Sequence, residues 1–174
     1  MFNQQYNSAY TSINKTKLPA IYNKIDWEKL RKNWYNNHNY MPYVYDYGCG
    51  RYTNHIRKFL EEKGFEYVGY DPYWRSEGKW LRKNPPAVVI CSNVLNVIAE
   101  DEIVEDIVKE ITQYDSLFFV TVYEGNKEGN GKVNGTSYQR NLRTVGYKRF
   151  WPPSKNICIR KSVITYNNYI QYIK

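Results

Sequence analysis

The sequence predicts an α/β fold built on a doubly wound, mostly parallel sheet with an antiparallel strand pair near its C-terminal end. Three observations predict it. Short apolar or aromatic runs alternate with amphipathic stretches between residues 43 and 123. Several runs end on small or polar sequences, "DYGCG", "YDPYW", "CSN" and "VYEGN", and a parallel sheet gathers such strand ends along one edge. The run "AVVICS" is apolar at successive positions, as a central strand covered on both faces must be. A chain of 174 residues, 42% of them hydrophobic, is long enough to bury a sizeable core in one domain.

Residues 1–25 are polar with scattered tyrosines and read as an N-terminal arm, which leaves 26–174 as the domain. "DWEKLRKNWYNNH" opens on Asp26, a natural N-cap, with Trp27, Leu30 and Trp34 at helical spacing. "YVYDY" reads as a buried strand, and "TNHIRKFLEEKG" as a helix with Ile56, Phe59 and Leu60 on one face and Gly64 as its stop. "EYVGYD" and "AVVICS" follow as strands. "EDEIVEDIVKEITQYD" is a helix, with Ile103, Ile107, Val108 and Ile111 expected inward, and "SLFFVTVY" is a fourth strand. Beyond it, "GNKEGNGKVNG" reads as a glycine-rich loop and "TSYQRNLRTVG" as a short helix. "YKRFW" and "NICIRKSVITY" read as closing antiparallel strands.

Net charge is +8, and its distribution is uneven. Residues 129–174 hold nine Lys or Arg and no acid, so the rest of the chain is close to neutral. Such asymmetry points to a polyanion, nucleic acid first, and Tyr138, Tyr147, Phe150 and Trp151 interleave the charges as bases to stack on would require. The bland alternative is a solvated basic face. No apolar run approaches the roughly 20 residues of a membrane span, and the polar N-terminus carries no apolar leader-like stretch. Cys49, Cys91 and Cys158 form no CxxC pair, which suits reduced thiols in the cytoplasm and supplies no zinc ligand set. The abundance of Asn, Lys, Tyr and Ile suits an AT-rich genome, of a phage or a low-GC bacterium.

The turn after the first strand carries the chemistry. Gly48 and Gly50 permit a tight backbone turn and close approach of a ligand, and the helix that follows offers unpaired N–H groups to an anion. Asp71 stands 21 residues after Gly50, at the end of the next strand, where a carboxylate can accept from both hydroxyls of a ribose. The third glycine of a dinucleotide fingerprint is replaced by Thr53, and Asp46 stands two places before the first glycine. A pyrophosphate gains nothing from that carboxylate, whereas a cofactor bearing an ammonium and a sulfonium does.

"VYDYGCGRYTN" resembles the first motif, D-x-G-C-G-x-G, of class I (Rossmann-like) S-adenosylmethionine-dependent methyltransferases, in a small single-domain form. "YVGYDPYW" resembles their acidic second motif, and "AVVICSNVLNVI" their fourth. The likeness spans Tyr43 to Tyr123 and implies S-adenosylmethionine as cofactor, with S-adenosylhomocysteine as product. By it, Asp46, Tyr47, Gly48, Cys49 and Gly50 surround the methionine part. Asp71 holds the ribose, Pro72 and Tyr73 lie beside the adenine, and Asn93 and Val94 line the reactive end. Two departures stand out. Tyr52 replaces the family's last glycine and is expected to carry its side chain across the cofactor. Only residues 72–86 separate the Asp71 motif from the next strand, so a family contact near the adenine is missing or is supplied by Trp74 or Trp80.

Other fragments read as decoys. "DPYW" looks like the D-P-P-[YFW] motif of amino-methylating DNA enzymes but follows the first motif too closely. "NPPA" precedes its strand where the true motif follows one. Cys91 reads as a buried thiol rather than a nucleophile; His38 and His55 are the only histidines, and His55 reads as a surface residue rather than a base. Methyl transfer needs in-line positioning and at times a base. Asn93, Asn96, Tyr123, Glu124 and Gln139, with Asn141, are the polar candidates for it, and Asn96 reads equally well as a helix cap. The expected acceptor is a nucleic-acid base. The alternatives are a small molecule, or a protein that binds the cofactor without catalysis.

Overall fold

A computed structural model describes residues 16–76, 84–114, 116–123, 132–134, 137–155, 157–160, 162–166 and 171–174. Trp80, Glu124 and most of the glycine-rich loop lie outside the described residues.

Helix α1 (Ala20–Lys24) and helix α2 (Trp27–Asn37) precede strand β1 (Tyr43–Tyr47). Asp26 caps α2 as its chemistry predicts, its side chain accepting from the Lys29 amide at 3.1 Å. Then follow α3 (Asn54–Glu62), β2 (Glu66–Tyr70), β3 (Val88–Ser92), a 3₁₀ turn (Leu95–Val97), α4 (Asp101–Thr112) and β4 (Leu117–Thr121). Strands β5 (Lys132–Asn134) and β6 (Ser137–Gln139) form a separate antiparallel pair. A 3₁₀ segment (Thr144–Phe150) leads to the hairpin of β7 (Ile157–Arg160) and β8 (Val163–Tyr166).

The main sheet has the order β2-β1-β3-β4-β8-β7. β1 pairs in parallel with both β2 and β3, and β3 with β4, while β8 runs antiparallel to β4 and β7. The direction of winding reverses at β1, so the C-terminal ends of β1 and β3 flank the switch point where open α/β sheets bind ligands. One face packs Tyr43, Tyr45, Val89 and Phe118 under α4 and the 3₁₀ segment. The other packs Val44, Val88, Ile90 and Phe119 with residues of α1, α2 and α3. Trp27 anchors that second layer, edge-on to Phe65 at 5.3 Å and stacked on Tyr22 at 6.0 Å.

The structure differs from the sequence reading in four places. The division at residue 25 falls inside the packed layer, because Ile21, Tyr22 and Ile25 are fully buried. In α4, Val104 takes the inward place expected of Ile103, which is 47% exposed. The buried set Val104, Ile107, Val108 and Ile111 keeps the i, i+3, i+4, i+7 spacing that Ile103 breaks. The stretch read as a short helix, "TSYQRNLRTVG", holds β6 instead, because residues 137–139 bond across to β5, including Lys132, which the reading put in the loop. "YKRFW" is not a strand. Thr144, Tyr147 and Phe150 are buried at a three-residue period, which is the repeat of a 3₁₀ helix and which neither a strand nor an α-helix would bury.

Ile21→Ala is expected to cost about 2–5 kcal/mol in chemical denaturation, as for other buried large-to-small changes. A cost below about 0.5 kcal/mol would mean that residues 20–25 are a loosely held arm after all.

Candidate cofactor site and the adjoining cavity

The turn after β1 is built from both strands that flank it. Gly48 and Gly50 have φ of 73° and 71°, left-handed values that favour glycine. Gly48 has a second constraint, because a Cβ there would lie 2.3 Å from Val94 Cγ2, on the loop after β3. The Gly48 and Cys49 amides donate to the Tyr70 carbonyl at 2.8 and 3.0 Å. Asp71, buried at the end of β2, accepts from the Gly50 amide through Oδ2 at 3.1 Å and from the Tyr73 amide through Oδ1 at 3.0 Å. The second-motif acid is therefore a brace that holds the glycine turn to the neighbouring strand end.

Asp46 is buried one residue before the end of β1, facing the α1–α3 side. Its Oδ2 accepts from the Tyr67 hydroxyl at 3.1 Å. Tyr67 reaches it past Gly69, the residue registered opposite Asp46, where a Cβ would lie 2.7 Å from that hydroxyl and 2.9 Å from Cys49 Sγ. The Tyr22 hydroxyl of α1 bears on the same carboxylate without reaching hydrogen-bond geometry. Burial pushes the Asp46 carboxyl from 3.8 up to about 7; Asp71 pushes the same way, against the two tyrosine hydroxyls. Burial likewise raises the Cys49 thiol, so Cys49 is no nucleophile at neutral pH.

A cavity of about 370 Å³ opens over this turn, lined by Lys17, Leu18 and Pro19 on one side and by Asp46, Gly48, Cys49, Tyr52, His55, Ile56, Ser92 and Asn93 on the other. The expected residues it gathers are Asp46, Gly48, Cys49, Tyr52 and Asn93. Tyr47 points into the opposite layer, beside Tyr45 and Tyr70. Pro72 and Tyr73 are exposed in a tight turn closed by the Asp71–Arg75 bridge, and Trp74 lies there under the Arg51 guanidinium, 5.1 Å from its ring centroid. The sequence reading missed residues 17–19, which no motif marks. His55, expected at the surface, also lines the cavity, with its Nδ1 buried near the Lys17 backbone. Partial burial lowers the His55 pKa, so it is neutral at pH 7.

A second cavity of about 330 Å³ lies beyond the ends of β3 and β4, lined by Ala20, Ile21, Lys24, Ser92, Asn93, Thr121, Val122, Tyr123, Ser162 and Val163. Ser92 and Asn93 line both cavities. Asn93 is held at φ 58° by its amide, which donates to the Thr121 carbonyl at 2.9 Å. Tyr123 is half-exposed at the rim. Asn96 and Gln139 line neither cavity. Asn96 Nδ2 donates to Gln139 Oε1 at 3.3 Å, and the Arg140 amide donates to the Asn96 carbonyl at 2.7 Å, which ties β6 to the 3₁₀ turn. Cys91 is buried within the sheet. Among the described residues no cluster of three His, Cys, Asp or Glu could hold a metal, and no helix is long and apolar enough to cross a membrane.

No protein-family model matches the chain, and no curated protein sequence matches it either. Among solved structures, it is similar to the Burkholderia thailandensis 1,6-didemethyltoxoflavin-N1-methyltransferase, solved with 1,6-didemethyltoxoflavin and S-adenosylhomocysteine bound. The TM-score is 0.51 at 13% identity, over 94% of this chain and 84% of that one. Magnesium protoporphyrin IX methyltransferase of Synechocystis, also with S-adenosylhomocysteine, aligns at a TM-score of 0.39 and 9% identity over 94% and 92% of the two chains. At 13% identity the likeness to the Burkholderia enzyme shows a shared Rossmann-like fold.

Between about pH 4 and 7 the folded protein holds a proton on Asp46 that the unfolded chain has released, so stability falls as pH rises through that window. Thermal melts across it should show this fall, and Asp46→Asn should flatten the profile and raise stability at pH 8 by about 1–3 kcal/mol. A profile unchanged in the variant would mean that Asp46 is ionised throughout.

Proposed function

We propose that this protein is an S-adenosylmethionine-dependent methyltransferase that binds the cofactor over the glycine turn and a small acceptor in the cavity beyond β3 and β4. The observation that carries the reading is the pair of cavities meeting at Ser92 and Asn93, at the switch point of the sheet. S-adenosylmethionine supplies, when bound, a methyl group on a positively charged sulfur. The residues present fit it, because a buried carboxylate pushed to the edge of neutrality lacks a cation, and an ammonium beside Asp46 would restore its charge. Gly48 and Gly50 would let the backbone approach the methionine part, with Tyr52 and His55 on the flank of the cavity. Asp71 would receive the ribose from the position where it braces the turn.

Asn93 is the residue best placed to act on the acceptor. Its backbone is fixed in a left-handed conformation, which aims the side chain from the boundary of the two cavities, and its amide can orient a hydroxyl or amine nucleophile. Tyr123 offers a ring face at the rim. Asn96 and Gln139 support this arrangement from behind, as the clasp on β6.

A second reading makes a nucleic-acid base the acceptor. The acid-free basic segment 129–174 favours it, and Arg143, Lys148 and Arg149 are exposed. Part of that charge is neutralised by an ion pair, however. Arg140 and Arg149 both pair with Asp101, at 2.6 and 2.9 Å, and the Arg140 side chain is buried. A cavity of about 330 Å³, of the size that takes a small ligand, favours the small molecule.

Isothermal titration of S-adenosylmethionine should give a saturable heat, with affinity rising roughly tenfold between about pH 5.5 and 7 as Asp46 ionises. Asp71→Ala should weaken binding at least tenfold by releasing Gly50. Absence of heat at millimolar cofactor would overturn the reading. Radiolabelled methyl transfer then separates the acceptors: label in a metabolite fraction supports the small molecule, and label in DNA or RNA, with binding that weakens steeply with salt, supports the nucleic acid. Saturable binding with label in no pool would make this a cofactor-binding protein.

A further inference from the structure

We propose that the cavity beyond β3 and β4 selects a small acceptor bearing an oxyanion, a carboxylate or a phosphate, and that Lys24 receives that group. The proposal rests on the reading of this cavity as the acceptor side of a methyltransferase. Lys24 is the only charged side chain among the described residues of its lining. The polar groups around it are hydroxyls and an amide, from Ser92, Thr121, Ser162, Tyr123 and Asn93. Among the described residues a cationic or strongly basic acceptor would find no counter-charge there, whereas an anion finds one ammonium and several donors.

Two details sharpen the donor set. Ser92 Oγ and Thr121 Oγ1 lie 2.9 Å apart in a mutual hydrogen bond. One O–H of the pair is spent on the other oxygen, and the second remains a donor. The two residues other than glycine with positive φ among those described, Asn93 at 58° and Ser162 at 63°, both line this cavity. Such conformations cost energy and persist where surrounding contacts impose them. Here the Ser162 carbonyl accepts from the Val122 amide at 3.1 Å, which fixes the serine against the end of β4.

The backbone of Lys24 is pinned as well. Its carbonyl accepts from the Lys174 amide at 2.7 Å, Ile25 bridges to Ile173, and the Asp26 amide donates to the Tyr172 carbonyl at 2.8 Å. Only the side chain of Lys24 is left to move, at the mouth of the cavity. An exposed lysine alone holds an anion weakly, so the hydroxyl donors must share the group.

The test is a ligand-observed NMR titration of protein saturated with S-adenosylhomocysteine, using benzoate, phenyl phosphate and the neutral isostere benzamide as probes. Benzoate or phenyl phosphate should bind at least tenfold tighter than benzamide, and the preference shows which oxyanion fits. Lys24→Met should abolish that preference while leaving the affinity for S-adenosylhomocysteine within twofold, and Lys148→Met should change neither. Equal binding of benzoate and benzamide would overturn the proposal, as would a preference that survives Lys24→Met or is lost equally in Lys148→Met. Displacement of benzoate by a single-stranded oligonucleotide would assign the site to a nucleic-acid phosphate and overturn the small-molecule proposal. If S-adenosylhomocysteine does not bind but the Lys24-dependent preference is present, the methyltransferase reading fails and the anion site stands. If it binds and the preference is absent, the reverse holds.

Discussion

The parallel pairing of β1 with β2 on one side and β3 on the other is the constraint from which the site follows. All five residues of β1 are buried, and their side chains alternate between the two core layers. A slip of one residue would send Tyr45 into the layer of Val44 and turn Asp46 to the wrong face. With the register fixed, the turn at Gly48 meets the end of β2 through Tyr70 and Asp71, and the loop after β3 through Val94. The first cavity is the space left over this turn, and the second opens where β3 and β4 stop.

The buried carboxylate makes the site costly in the free protein. Asp46 has one hydrogen bond from Tyr67, an electrostatic partner in Tyr22 and a like charge nearby in Asp71. A group so placed is easier to protonate than to ionise, and a bound cation reverses that preference. The same residue therefore opposes folding near neutral pH and favours a positively charged ligand. Tyr22 belongs to α1, so this coupling extends to the segment that walls both cavities.

Much of this was legible in the sequence, for reasons that are local. The apolar runs of β1, β3 and β4, the glycines at 48 and 50, and the acid at the end of β2 are dictated by burial and backbone conformation, which leave a mark at each position. Residues 17–19 leave none, because a short Lys-Leu-Pro stretch becomes a cavity wall only through where its neighbours Ile21 and Tyr22 pack. His55 looked like a surface residue because one histidine in the first turn of a helix carries no signal of what lies above it. Asn96 and Gln139 looked like candidates for catalysis because buried amides that clasp each other are the same residue types as amides that orient a substrate. The 3₁₀ segment was missed because its period of three is rare enough that "YKRFW" resembles a strand.

The last described residues, 171–174, have a consequence of their own. They run beside residues 24–26 and hold them by backbone bonds at Lys24 and Asp26. Residues 24–26 and 172–174 thus share one seam, and Lys24 of that seam lines a cavity. Selection acting on the shape of that cavity acts equally on residues some 150 positions apart in the sequence. A shift of residues 172–174 would be passed directly to Lys24 and Asp26 through their backbone bonds.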